Sequence, residues 1–457
     1  MKKMTKFSAL LMALVLAMGS MTACGGNNDK KDGASSAPAA SAAANTDSSA
    51  APAGDDNSTG EKQPVTLIVW TPQEEQKGEF GDPYGDNLLQ YMADSFNQNQ
   101  SKWELTIQPA ICAEGDVKTE INKDPSVAAD VFMFPGDQAL QLQKNGILYP
   151  LSGDNLENIK ANSPAAAIEG VTFKDEDLGE TAVYGVPFTP NQWFMYYDKS
   201  KFSEEEVKSL DTMMSKDLGK DVYNFSMPIT NSWYAQSFFF AAGCELFTGG
   251  DKTIDTFNND AGVAAANYMI DLVANKKFLY EDGNGVGISY FKEGKLGAWC
   301  GGSWDAASVK KALKDNYGVA ALPTAKIGDT EENIKPFADY KYIGVNANSQ
   351  NTEAAEDFAE WLGGEQCQKD RYAARGVIPT WTTLAEDAEI SKDPIVTALD
   401  AQKDKLAARG QTQQMDQYWT PMEAFAKGVY NKEVTKDNAK EKLDEMVKNQ
   451  LTEITEN

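Results

Sequence analysis

The sequence predicts an α/β protein of two domains, each a mostly parallel sheet flanked by helices. Three observations carry this. The chain has 457 residues, enough for two bodies of ordinary size once a processed leader and a tail are set aside. Apolar β-rich runs alternate along it with segments of helical spacing, the pattern of parallel strands joined by crossover helices. The first of those runs is close to continuously apolar, as a strand covered on both faces must be.

The leader comes first. Lys2, Lys3 and Lys6 precede an apolar run from Phe7 to Met18 that ends in small residues before Cys24. A run that short does not span a bilayer comfortably and reads as a signal peptide over residues 1–23. Met21-Thr22-Ala23-Cys24 resembles a bacterial lipobox, with Met where Leu is usual, which makes Cys24 the lipidated first residue of the mature chain. Residues 24–63 are Ala, Ser, Gly, Asp, Asn and Pro with essentially no large apolar side chain, too little to offset the entropy of ordering. They read as a disordered tether between a lipid and a folded body.

The folded part opens at Pro64 with the strand Val65-Thr66-Leu67-Ile68-Val69-Trp70, expected to be buried on both faces. Leu88, Leu89, Met92 and Phe96 keep helical spacing, Trp103 to Ile107 alternates like a strand, and a short helix precedes the strand Asp130 to Phe134. Gln138 to Lys144 is helical and stops at Gly146. A second unit starts near Gln192. In it Phe202-Ser203-Glu204-Glu205-Glu206-Val207 has the form of a capping box with a hydrophobic staple. Asn259-Asp260 opens a helix with Val263, Ala266, Ile270 and Val273 on one face and Lys276 and Lys277 at its negative end. Gly318 to Pro323 and Tyr342 to Asn346 are strands, a helix surrounds Phe358, Trp361 and Leu362, and the C-terminal third is almost all helical. Gly249-Gly250-Asp251-Lys252-Thr253 lacks the spacing of a phosphate loop, and Asp282 to Gly287 puts Val286 where a calcium loop needs oxygen, so both read as turns.

Composition narrows the chemistry. The formal charge is −26, which repels nucleic acid and anionic lipid headgroups. There is no histidine, so triads built on His and His-ligated metals are excluded, and no cofactor or metal is implied. Carboxylate-only chemistry survives, such as glycoside hydrolysis by two acidic residues. Cys112, Cys244, Cys300 and Cys367 read as buried thiols or one optional bridge among three pairings.

Ligands of open α/β sheets bind beyond the C-terminal ends of the strands. Glu74 and Glu75 follow the first strand and Asp137 and Gln138 the third, so these four converge on one edge. Aromatic residues in polar contexts stand out: Ser232-Trp233-Tyr234, Gly302-Ser303-Trp304-Asp305 and Tyr418-Trp419-Thr420. A pyranose stacks its C–H face on an aromatic ring while its hydroxyls need carboxylates and amides, so this combination suits sugar. Single tryptophans more often belong to the core, and Trp103 and Trp361, set in amphipathic patterns, are assigned there.

Thr66 to Trp70, Asp130 to Phe134, Tyr184-Gly185-Val186-Pro187, Tyr197-Asp198-Lys199, Phe291 to Ala298, Gly302-Ser303-Trp304 and Tyr317 to Pro323 occur in an order and spacing that resemble bacterial maltose/maltodextrin-binding proteins. These are extracellular solute-binding proteins (family 1) of ABC transporters. The resemblance implies a two-lobed fold of the periplasmic-binding-protein type (type II), with lobes 64–188 plus 339–378 and 192–335 plus 379–457. Crossings then fall near Phe188 to Gln192, Pro336 to Asp339 and Gly376 to Thr380. It implies stacking by Trp233 or Tyr234, Trp304 and Trp419, and sugar-hydroxyl ligands at Glu74, Asp137 and Asn191. Asn191 stands where the family often has an acid and Glu423 where it has a base. The implied function is non-enzymatic: a monomer at the outer face of the bacterial cytoplasmic membrane, held only by its lipid, that passes a maltooligosaccharide to an ABC permease. A different small solute or peptide, or a secreted glycoside hydrolase, is the alternative.

Overall fold

The computed structural model describes residues 61–175, 179–281 and 285–454. The predicted leader, Cys24, nearly all of the tether and Asp282 to Asn284 of the second turn lie outside the described residues.

The chain first lays down β1 (Gln63–Thr71), β2 (Trp103–Ile111), β3 (Val131–Pro135) and β4 (Val186–Pro190). It then crosses to a second sheet with β5 (Trp193–Asp198), β6 (Tyr223–Met227), β7 (Phe278–Tyr280), β8 (Leu296–Gly302) and β9 (Tyr317–Ala320). Finally it returns to the first sheet for β10 (Tyr340–Val345). The first sheet has the order β2-β1-β3-β10-β4 and the second β9-β5-β8-β6-β7. In each sheet four strands run one way; β10 in the first and β5 in the second are reversed. Each sheet has its own core, one around Leu67, Phe132, Phe134 and Ile343, the other around Met195, Phe225, Phe238 and Met422.

Most predicted elements occur, with instructive differences. The strand at Val65 to Trp70 is buried on one face through Val65, Leu67 and Val69, while Thr66 is exposed, because only one side of its first half meets a core. The helix Leu88–Asn99 buries Leu88, Leu89, Met92 and Phe96 as its spacing predicts, and Gly146 stops the helix Ala139–Lys144 in a left-handed conformation (φ 66°). At Ser203 the reciprocal bonds of the capping box form: Ser203 N–H donates to Glu206 Oε2 (2.8 Å) and Glu206 N–H to Ser203 Oγ (3.3 Å). Yet only a single 3₁₀ turn, Glu206–Lys208, follows; Ser209 then caps the α-helix Leu210–Ser215. The four cysteines 112, 244, 300 and 367 are free thiols. No described helix is long and apolar enough to cross a membrane.

Candidate functional site

Parallel strands of both sheets end on residues picked out by the sequence. Glu74 and Glu75 follow β1, Asp137 and Gln138 follow β3, Asn191 follows β4, Trp233 and Tyr234 open the helix Ser232–Ala241 after β6, and Trp304 follows β8. Trp419 lies on the helix Met415–Tyr430, against the same core as Trp233. Three local arrangements result.

In the first, Trp304 projects from the 3₁₀ turn Ser303–Asp305. Its surroundings are Glu74, which is exposed, with Glu114 and Lys341 of the first body, around a cavity of ≈ 20 Å³. Lys341 pairs with Glu114, and its ammonium stands 4.7 Å from the Trp304 ring centroid. Behind the tryptophan, the Asp305 carboxyl is pushed up to about 7 by burial, with Glu281 and Glu74 adding to the effect against the Gly302 N–H and Lys341.

In the second, Asp137 faces Arg409 and the segment that follows it, around a cavity of ≈ 10 Å³. Arg409 Nη2 donates to Asp339 Oδ1 (3.3 Å), and Asn191 Nδ2 donates to Asp339 Oδ2 (2.8 Å). Burial, and then the neighbouring Asp339 carboxylate, raise the Asp137 carboxyl above the ordinary range, more than Arg409 and Lys118 lower it. Burial raises Asp339 in the same sense, against Arg409 and Asn191. Asn191 is thus buried on Asp339, and its amide is partly used within the protein.

The third is aromatic. Trp233 packs at 5.7 Å from Phe337 and 6.1 Å from Trp419, both pairs tilted, Phe337 and Trp419 meet edge-on at 6.1 Å, and Tyr234 lies 4.8 Å from Trp193. Trp233, Tyr234 and Trp419 are half-buried.

Two residues expected to meet a ligand have their polar atoms committed elsewhere. Glu75 is buried, with Arg371 Nε 3.1 Å from one carboxylate oxygen and Arg375 paired with the other. Burial pushes its carboxyl up, but the two guanidinium groups outweigh this and hold it below the usual range. Gln138 is buried too; its Oε1 accepts from Lys118 N–H (3.0 Å) and its Nε2 donates to the Gly115 carbonyl (2.7 Å). Strand-end position places a residue at the right edge without fixing which way its side chain turns. Conversely, Glu114, Lys341, Asp339 and Arg409 enter these arrangements with no local motif to mark them, because each acts through partners distant in sequence.

A cavity of about 10–20 Å³ holds roughly one water, far less than a six-membered ring needs. Lys118 Nζ and Asp416 Oδ1 bridge the two bodies at 2.7 Å.

The family described as bacterial extracellular solute-binding protein matches residues 91–398. The galactooligosaccharide-binding protein of Bacillus subtilis (strain 168) is 23% identical over 401 residues, 84% of this chain and 89% of that protein. The maltooligosaccharide ABC transporter solute-binding lipoprotein of Streptococcus pneumoniae (strain ATCC BAA-255 / R6) is 26% identical over 331 residues, 70% of this chain and 75% of that protein. Among solved structures, one with acarbose is 34% identical, with TM-score 0.77 over 85% of this chain and 98% of its own. The maltodextrin binding protein MalE1 from L. casei BL23, solved without ligand, is 26% identical, with TM-score 0.71 over 85% and 99%.

Proposed function

The chain belongs to the bacterial extracellular solute-binding protein family, and from that premise we propose that it captures an oligosaccharide, of maltooligosaccharide type, between two lobes and delivers it to an ABC importer. The observation that carries the reading is the gathering of indole rings and carboxylates at the C-terminal strand ends of two separate sheets, where each supplies half of what a pyranose needs. Relatives named for galactooligosaccharide and maltooligosaccharide, and a neighbour solved with acarbose, support the ligand class.

The proposed lobes are 64–188 with 339–378 and 192–335 with 379–457. Trp233, Trp304 and Trp419 are the stacking surfaces, Tyr234 flanks them, and Glu74, Asp137 and Asn191 are the hydroxyl ligands. Glu75 and Gln138 hold the wall that carries their neighbours. Sugar that contacts both lobes stabilises the closed form by its differential contacts, and that form is the one the permease recognises. Binding proceeds without turnover. The protein works as a monomer at the outer face of the cytoplasmic membrane, held by a lipid on Cys24; the relative from Streptococcus pneumoniae is named a lipoprotein.

Calorimetric titration with maltose through maltohexaose tests the ligand. Trp304→Ala and Trp419→Ala are each expected to weaken binding roughly tenfold or more while circular dichroism stays unchanged. Unaltered affinity in both variants would remove the two indoles from the site, and shortening of the sugars during incubation would replace binding by hydrolysis.

A further inference from the structure

Trp304 has one ring face against its own backbone. The six-membered ring lies so close to Gly302 that a Cβ built there would sit 2.2–2.3 Å from Cη2, Cζ2 and Cζ3. Near-equal distances to three adjacent ring atoms put the glycine beneath a ring face, not at its rim. A face pressed on backbone has no room for an ammonium, so Lys341, 4.7 Å from the centroid, covers the other one. Lys341 sits on β10 of the first sheet and Trp304 beyond β8 of the second, so the contact spans the two bodies. Its second anchor is Glu114, and both charged side chains are largely shielded from water.

We infer that Lys341 is an intramolecular occupant of the Trp304 platform, which the sugar must displace in order to stack. The inference rests on the reading of Trp304 as a sugar platform and adds a residue that sets affinity by competition. A cation over an indole is favourable, by more when it is desolvated. The exchange therefore subtracts that contact from whatever the pyranose gains on the same ring. Glu114 keeps the displaced ammonium paired, so the lid can move without leaving a buried charge alone, the costly outcome. The Glu74 carboxylate, which lines the same cavity as Trp304 and Lys341, is available to hydroxyls of the incoming ring once the lysine has moved.

Removing the lid should tighten binding, a change that general damage to the fold does not produce. The measurement is calorimetric affinity for maltotetraose in the wild-type protein, Lys341→Ala, Lys341→Arg, Glu114→Gln, Trp304→Ala and the double variant Lys341→Ala/Trp304→Ala. Lys341→Ala should bind roughly three- to tenfold more tightly, and Lys341→Arg, which can still cover the indole, should stay near wild type. Glu114→Gln, which takes its partner from the displaced ammonium, should bind more weakly than wild type. In the Trp304→Ala background the Lys341→Ala gain should vanish, since the two act through one contact. Unchanged or weaker binding by Lys341→Ala, unchanged or tighter binding by Glu114→Gln, or a gain that survives without Trp304, overturns the proposal. Absence of binding to maltotetraose in every protein, wild type included, overturns the sugar reading itself and the proposal with it.

Discussion

Asp137, Asp339 and Arg409 set two carboxyl groups against one guanidinium in a nearly dry place, and burial raises both acids above their ordinary value. Two further acids behave alike: Asp255 is pushed up to about 6 by burial, against the Phe257 N–H, and Asp305 is pushed up to about 7. The native state therefore keeps protons that the unfolded chain has released. Where the native state binds more protons, stability falls as pH rises, so these groups erode it from the ordinary carboxylate range up through their raised values. The thermal midpoint is expected to be lower at about pH 7.5 than at about pH 5, and Asp255→Asn should reduce that drop. A midpoint that climbs over the same range, followed by calorimetry, would contradict it. Glu75 shows the opposite balance at the same scale. Two guanidinium groups more than cancel its burial, which makes it part of a wall. No sequence pattern distinguishes it from exposed Glu74 beside it, because the difference lies in Arg371 and Arg375 on a distant helix.

The helix Asp260–Ala274 was legible as an element; the face read from its apolar residues does pack on the core but is offset from the most buried positions. Asn259 caps it as expected, its Oδ1 accepting from Gly262 N–H at 2.9 Å. The buried positions are Gly262, Ala265, Ala266, Met269 and Leu272, whereas Val263, Ile270 and Val273 are only half-buried. The rotation has a local cause. At Gly262 an added Cβ would come within 1.8 Å of the Phe257 carbonyl oxygen, so the helix start is pressed on backbone at a residue with no side chain to contribute to an apolar pattern. Lys277, expected to face its own helix's negative end, donates instead to the carbonyls of Ser215 (3.1 Å) and Lys216 (2.8 Å), at the end of the helix Leu210–Ser215. Gly262→Ala should cost about 3 kcal/mol or more, as backbone must move. Asn259→Ala should cost about 1 kcal/mol for a lost cap. Urea unfolding ranks the two, and equal midpoints would refute the close-approach argument.

Across the whole molecule, the salt bridge Lys118–Asp416 and the Lys341–Trp304 contact tie the two bodies together at separate points. Lys118 and Asp416 are each about a quarter exposed, and a pair so partly screened is worth at most about 1 kcal/mol. Asp416→Asn should therefore shift an open–closed equilibrium by no more than about fivefold. In X-ray scattering this variant without sugar is expected to have a larger radius of gyration than wild type, and saturating maltotetraose should bring the two together. Identical radii without sugar would show that the bridge does not hold the bodies. By itself, the sequence determined what depends on neighbours along the chain: the strongly periodic strands and helices, their alternation, and which residues follow the strands so marked, since periodicity, caps and strand ends are local. Only the tertiary structure decided which of those residues turn outward, that Glu75 and Gln138 are held inside, and that Lys341 and Arg409 stand among them. Those outcomes are fixed by charge pairing and close packing between segments that meet only once the chain has folded.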